Sequence, residues 1–493
     1  MWRRFSKSTT RLGQISLYGG AFLAAYVYTA FPKMREDWQQ RASAYVRFSR
    51  ITARAIAMAA DYSLGIDSEK HQKHAKKLLA VLQKNGGCYV KFGQILGQLD
   101  LLVPDEYCEA MKPTLQDARM SPWTDVAQTI EDDLKKPVAE LFAEIDKTPI
   151  ASASLAQVHK AKLQTGEIVA VKVQHRWIRE QYPGDLRVLE FLAKTGKALF
   201  PDFDYLWLID DLKRSMVMEL NFNQEAENAE QCKRMFRGNS HIAVPSVYWG
   251  LSSERVLTMS FEEGLSIAET EALKKQGIHL AEVAEILARA LSEMVFIHGF
   301  VHCDPHPGNI LVRPIPTWLG IRPQIVLLDH GLYRQLPEGM KRSYTDMWRS
   351  LLTRDEEGMK HNAAALGVTS LYPLLAGMMV GRTWDDIMSD TGDFQRLRNP
   401  RSNAEDRTII RNHARHWQKE INQILGRLHN EVVLLFKTFE WLRAIDAKLD
   451  SPLNTVRVVA DYCTRGSGTW QRWWLLLKFW FVNVIFRVHG LLG

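Results

Sequence analysis

The sequence predicts an α+β protein of two lobes, a small β-rich one followed by a large helical one, with a helical extension ahead of both. Three observations predict it. At 493 residues the chain is longer than one hydrophobic core usually organises. At Pro149 the helical spacing of apolar residues gives way to two alternating runs, 157–163 and 168–173, joined by Gln164-Thr165-Gly166-Glu167, the pattern of a hairpin. After Gly264 the helical pattern returns to the end of the chain, broken by short strands at 309–312 and 324–328.

Taken in chain order, residues 1–14 carry Arg3, Arg4, Lys7 and Arg11 with no acidic residue, the composition of a mitochondrial presequence. Residues 15–31 are uncharged and span about 25 Å as a helix, at the short end for crossing a bilayer. A secretory signal and a buried helix are the alternatives for this stretch. Residues 37–148 read as the helical extension, broken at Gly86-Gly87, Pro104, Pro113 and Pro122. The small lobe is expected at 149–263, the core of the large lobe at 264–365, and further helices at 366–468. The last segment, 469–493, is aromatic and apolar but carries Lys478, Asn483 and Arg487, which suit a membrane interface better than its centre. A core helix packed on the large lobe is the alternative there.

Composition narrows the partners. With 46% hydrophobic and 24% charged residues the chain is ordinarily globular. Its net charge of +7 suits an anionic membrane surface or a phosphate-rich ligand, and no nucleic-acid partner is expected. The five cysteines are scattered and never spaced as CxxC, so they imply neither a disulfide framework nor a zinc site, and a reducing compartment fits. Cys303 reads as a small buried filler.

Phosphoryl transfer needs a cation on the phosphates, oxygen ligands on a metal and a carboxylate near the acceptor. Val169-Ala170-Val171-Lys172 puts a lysine in an alternating strand. His302-Cys303-Asp304-Pro305-His306-Pro307-Gly308-Asn309 sets an aspartate and an asparagine on a loop fixed by proline and glycine, so that Asp304 can orient an acceptor hydroxyl while Asn309 binds metal. Beyond them the apolar run 325–328 ends in Asp329-His330-Gly331, placing a second metal ligand, Asp329, at a strand end. Each motif is weak alone, but their order and spacing make one signal.

On these residues the chain resembles the UbiB family, the aarF-domain-containing (ADCK) atypical kinase-like proteins, over roughly 85–365, and most closely its mitochondrial branches outside the one dedicated to coenzyme Q. Lys91-Phe92-Gly93-Gln94 looks like the family's KxGQ motif, and 151–159 looks like the alanine-rich loop that replaces a glycine-rich phosphate loop. The resemblance implies a bilobal protein-kinase-like fold that binds ATP and Mg²⁺. Lys172 would meet the phosphates with Glu225 as its helix-borne partner, although the sequence alone also allows Glu219 or Glu227. Ala151, Ser152, Ala153 and Ser154 would line the phosphate loop, and Thr258 and Met259 would begin the hinge that holds adenine. Lys91 and Gln94 would reach into the cleft, with Glu219 pairing Lys91, where a peptide substrate would otherwise lie. Two departures stand out. Asn221 occupies the last position of the usual Glu-x-Asp, and a neutral amide binds Mg²⁺ less well than a carboxylate. Ser152 adds a hydroxyl to the alanine loop.

There is no glycine-rich loop and no Ala-Pro-Glu anchor, and only 332–338 separate Gly331 from the next helical pattern. The expected activity is therefore slow ATP hydrolysis or phosphorylation of a small or lipid-like acceptor, with protein phosphorylation third and a catalytically silent nucleotide-gated scaffold as the rival. A membrane lipid or lipid-like molecule, mitochondrial membrane proteins and a second copy of the chain are the expected partners. The expected location is the mitochondrial inner membrane, with a role in membrane-lipid homeostasis.

Overall fold

A computed structural model describes residues 38–388 and 420–465, apart from 66, 98–102, 116–119, 201–204, 319, 381, 383, 422–423, 425–427, 429 and 450–454. The expected presequence, the uncharged run 15–31 and the segment 469–493 lie outside the described residues. Among those described, no helix is long and apolar enough to cross a membrane.

The extension is built from α1 (Trp38–Ser63), α2 (Ser68–Asn85), α3 (Gly87–Gly97), α4 (Asp105–Met111), α5 (Trp123–Leu134) and α6 (Val138–Leu141). Asp67 caps α2 by accepting from the Lys70 N–H at 2.7 Å, and Gly86 ends it. The first four helices pack with α7 (Ile178–Leu199) and α8 (Leu206–Glu219) around one core that includes Phe48, Leu82, Tyr89, Met111, Leu212 and Met216. Two glycines allow the close approach of α3. At Gly93 a Cβ would lie 3.0 Å from Thr114 Cγ2 and 3.1 Å from Leu82 Cδ1, so the central position of Lys91-Phe-Gly-Gln admits no side chain without repacking. At Gly87, with φ of +48°, a Cβ would lie 2.7 Å from Ile178 Cδ1 and 2.8 Å from Trp177 Cζ3. Backbone strain and overlap act together there. Gly87→Ala is expected to lower unfolding stability by about 1–3 kcal/mol, read as a shift of the urea midpoint at unchanged slope.

The small lobe is a five-stranded antiparallel sheet in the order β1-β3-β4-β6, with β2 also on β3: β1 (Glu144–Ile145), β2 (Ala151–Ser152), β3 (Ala156–Lys162), β4 (Ile168–Gln174) and β6 (Val256–Ser260). It begins with a strand ahead of Pro149, too short for an alternating signal, which the Ala143 and Asp146 N–H groups hold to β3. The sheet's two faces differ. Val169, Val171, Val173 and Val256 pack outward under α5 and α6, whereas Ala156, Ala170, Leu257 and Met259 pack inward against Phe222 and Ala226 of α9 (Phe222–Met235).

In the large lobe, β5 (Ile242–Ala243), β10 (Gly320–Leu327), β9 (Ile310–Thr317) and β7 (Leu265–Ser266) form a second sheet, and β8 (Phe300–His302) pairs with β11 (Tyr333–Gln335). Around them stand α10 (Thr270–Lys275), α11 (Leu280–Glu293), α12 (Glu338–Thr353), α13 (Glu356–Ala365), α14 (Tyr372–Val380), α15 (Trp384–Met388), α16 (Asn430–Lys448) and α17 (Thr455–Arg465). The β9–β10 hairpin is longer than the four or five residues per strand that the sequence suggested. Pro314, Pro316 and Pro323 lie in it, and they are tolerated because β7 and β5 pair only with 311–312 and 325–326, leaving the outer edges unpaired.

Candidate active site

Between the lobes, side chains from six segments meet. Lys172 stands on the inward face of β4, and its Nζ donates to Glu225 Oε1 of α9 at 2.6 Å while lying 3.6 Å from Asp329 Oδ2. Glu225 is thus the partner that the structure selects; the Phe222 ring lies 5.2 Å beneath the ammonium. Burial works against the charge on Lys172, but Asp329 and Glu225 outweigh it and hold its pKa above the usual lysine value.

Asp329 follows β10, and its carboxylate accepts from the Gly331 N–H at 2.9 Å and from Asn309 Nδ2 at 3.3 Å. Burial alone would raise its pKa. Lys172 and the Gly331 N–H reverse that and hold it well below the ordinary aspartate range, so it is ionised at any functional pH. The loop bearing Asp304 is fixed by its own backbone: the His306 N–H donates to Asp304 O at 2.7 Å, the Asn309 N–H to His306 O at 2.9 Å and the Leu328 N–H to Asn309 O at 3.0 Å. Asp304 Oδ1 is buried with no hydrogen-bond partner.

Lys91 of α3 closes the far side. Its Nζ lies 2.8 Å from Glu219 Oε1, at the end of α8, and 3.7 Å from Asp304 Oδ2, and it is buried. Burial opposes its charge, yet Glu219 and Asp304 keep it protonated, with a raised pKa. Gln94 is not part of this cluster: its Nε2 donates to Thr114 O at 2.9 Å, so it holds the turn after α4. Asn221 caps α9, accepting from the Gln224 N–H at 3.4 Å, which gives the amide at that position a structural use.

The expected phosphate loop is a tight turn from β2 into β3, with Ala151 and Ala153 exposed, Ser154 buried, and Ser152 Oγ buried without a partner. Met259 faces the cleft beside Ala170 and Leu257. Thr258 does not: its hydroxyl donates to Leu251 O at 2.6 Å, its N–H to Ser252 Oγ at 3.0 Å, and its carbonyl accepts from the Tyr248 N–H. Its backbone is therefore spent before the hinge begins.

Several residues that frame the site carry no sequence signal. His330 lies in a buried stack with His302 and Tyr333, receives the Tyr333 hydroxyl on Nδ1 and donates from Nε2 to Leu327 O, both at 3.0 Å. Burial depresses its pKa to about 3, so it stays neutral. From far along the chain, α16 backs the loop that bears Asp304: Thr438 Oγ donates to His302 O at 3.2 Å, Leu434 packs on Cys303, and Trp441 meets His306 edge to face. Lys437 also pairs with Asp211 of α8.

The donor set fits a nucleotide-borne Mg²⁺. Among the described residues no three His, Cys, Asp or Glu side chains gather to hold a metal by themselves. One carboxylate and one amide, Asp329 and Asn309, are what Mg²⁺ takes when phosphates and water fill its remaining positions. The partnerless Ser152 Oγ and Asp304 Oδ1 are polar atoms left for a ligand.

Comparison with known proteins identifies a family for the chain. The model of the ABC1 atypical kinase-like domain matches residues 114–363. AarF domain-containing protein kinase 1 of Mus musculus is 38% identical over 441 residues, 87% of this chain and 82% of that protein. A putative ABC1 protein of Arabidopsis thaliana is 36% identical over 422 residues, 81% and 78% respectively. Among solved structures, the Rv3197–erythromycin complex from Mycobacterium tuberculosis aligns at 21% identity with a TM-score of 0.49, covering 78% of this chain and 94% of that one.

Proposed function

This chain belongs to the ABC1 atypical kinase-like family, and we propose that it binds ATP with Mg²⁺ and either hydrolyses it slowly or passes its phosphoryl group to a small or lipid-like acceptor. One observation carries the reading: Lys172, Glu225, Asp329, Asn309 and Asp304 converge on one cleft, with the Lys91–Glu219 pair standing against Asp304. Magnesium ATP would supply a terminal phosphoryl group whose charge the metal helps to neutralise. Lys172, fixed by Glu225, would meet the phosphates. Asp329 and Asn309 would hold the metal through oxygen, and Asp304 would orient water or an acceptor hydroxyl through its unpartnered Oδ1. The interval of six residues, 332–337, between Gly331 and α12 leaves little chain for a peptide platform, which favours a small acceptor over a protein.

A mitochondrial membrane setting and a role in lipid homeostasis complete the proposal. The membrane setting is supported by the basic, acid-free run 1–14, the uncharged run 15–31 and the aromatic run from 469 onward, and the lipid role rests on the family resemblance alone. The rival, a nucleotide-gated scaffold without turnover, draws on the 3.7 Å approach of Lys91 to Asp304, which occupies one oxygen of the acceptor-side carboxylate.

The test is MgATP binding by calorimetry, then phosphate release with and without cardiolipin-rich liposomes. Binding with metal-dependent turnover is the expected result. Binding without turnover under either condition selects the scaffold, and absence of binding removes both readings.

A further inference from the structure

A phosphate loop without glycine needs an external support for its backbone, and this one has it in a side chain outside every motif so far described. His175, one residue beyond β4, holds the turn at two points: its N–H donates to Leu155 O at 3.0 Å, and its ring Nε2 donates to Ala153 O at 3.1 Å. Because a carbonyl can only accept, Nε2 carries a proton; in the neutral ring Nδ1 is then an acceptor, and it receives the Ser121 hydroxyl at 2.8 Å. Ser121 is itself clamped by Gln157, whose Oε1 accepts from the Ser121 N–H at 2.7 Å and whose Nε2 donates to the Ser121 carbonyl at 3.3 Å. The Trp177 ring stacks on the imidazole at 5.3 Å and 6°. Ser121, Gln157 and His175 are all buried.

The consequence follows from peptide geometry. In a trans peptide the C=O of one residue and the N–H of the next point in opposite directions. Ser121, Gln157 and His175 lie toward the outward face of the sheet, since Gln157 alternates with the inward Ala156 and Val158. Drawing the Ala153 carbonyl toward His175 therefore turns the Ser154 N–H the other way, toward the cleft. We propose that His175 is a positioning residue that aims the Ser154 N–H at the nucleotide phosphates, with Ser121 and Trp177 fixing its ring. In this way an alanine- and serine-built turn does what glycine-rich loops do by conformational freedom. The inference rests on the nucleotide-binding reading above.

The measurement is the Kd of full-length protein for MgATP, MgADP and adenosine by calorimetry, for wild type, His175→Ala, His175→Gln and Ser121→Ala. Loss of one aimed N–H to an anionic group is expected to weaken MgATP and MgADP about tenfold in His175→Ala. Adenosine, which has no phosphate, keeps its affinity. His175→Gln, which retains a donor for the Ala153 carbonyl, restores phosphate-dependent affinity to within about threefold of wild type, and Ser121→Ala falls between. Equal weakening of all three ligands assigns His175 a general structural role and overturns the proposal, as does no change in any. If His175→Ala does not fold, the phosphate-selective loss in Ser121→Ala and its absence in His175→Gln decide the matter in the same way. A wild-type protein that binds none of the three removes the nucleotide site itself, a failure distinct from that of His175.

Discussion

Asp329→Asn is expected to reduce Mg²⁺-dependent turnover by about 10²–10³-fold while leaving the fold intact, because preorganised charge at a phosphoryl-transfer site carries effects of that size. The substitution is close to isosteric, and an amide oxygen still accepts the Gly331 N–H that turns the chain after β10. What it removes is the charge that sits 3.6 Å from Lys172 and would hold the metal. Nucleotide affinity should therefore lose its dependence on Mg²⁺, which titration with and without the metal checks. Lys172→Ala behaves differently. It takes away the proposed phosphate contact and also leaves Glu225, 2% exposed, as a buried carboxylate without its cation. Removing one partner of a buried pair typically destabilises by about 3–5 kcal/mol, so this variant should show a lowered unfolding midpoint as well as lost binding. Combining it with Glu225→Gln should recover stability without recovering function. Turnover that survives in Asp329→Asn would place the chemistry elsewhere.

The residues of that cleft were legible in the sequence to the extent that their signals are local. Asp304 and Asn309 share one loop, Asp329 ends an apolar strand, and Lys172 alternates with valines; each pattern is set within ten residues. The choice of Glu225 over Glu219 or Glu227 was not legible. It depends on α9 presenting Phe222, Glu225, Ala226 and Ala229 to the interior, which requires knowing what α9 packs on. Nor was the contact of α16 with the catalytic loop, because Thr438 and His302 are brought together across 136 positions by packing that no sequence period encodes. Thr258 shows the opposite failure. Its place in the sequence beside the hinge is right for a hinge residue, but the alternation of β6 turns its side chain outward, and neighbouring turns consume its backbone. The prolines of β9 and β10 hid strand length for a similar reason, since their tolerance depends on which edges are left unpaired.

Lys91 and Glu219 form the other pair whose separation should have a large effect. Lys91 is buried and Glu219 mostly so, with 17% of its side chain exposed, and Lys91 joins the extension to the cleft through Glu219 at 2.8 Å and Asp304 at 3.7 Å. Lys91→Met keeps most of the aliphatic volume but leaves Glu219 without its cation, and the expected loss is again about 3–5 kcal/mol at neutral pH. The pH dependence gives the loss a signature. Burial raises the Glu219 pKa even in the wild type, with Lys91 pulling against it, so without Lys91 the carboxyl is raised further. A carboxyl whose folded pKa lies above its unfolded value favours the folded state below the unfolded pKa, near 4.3, and loses that contribution as pH rises through the folded value. Lys91→Met should therefore lie closest to wild type in acid and fall increasingly behind toward neutrality in urea unfolding. Adding Glu219→Gln removes the titrating group, so the double variant should recover most of the stability, lose the added pH slope, and show a coupling energy of about 2 kcal/mol or more. A cycle with no coupling would mean that Lys91 is held in the cleft by Asp304 instead, and that the barrier on the acceptor side is attached to the catalytic loop rather than to α8.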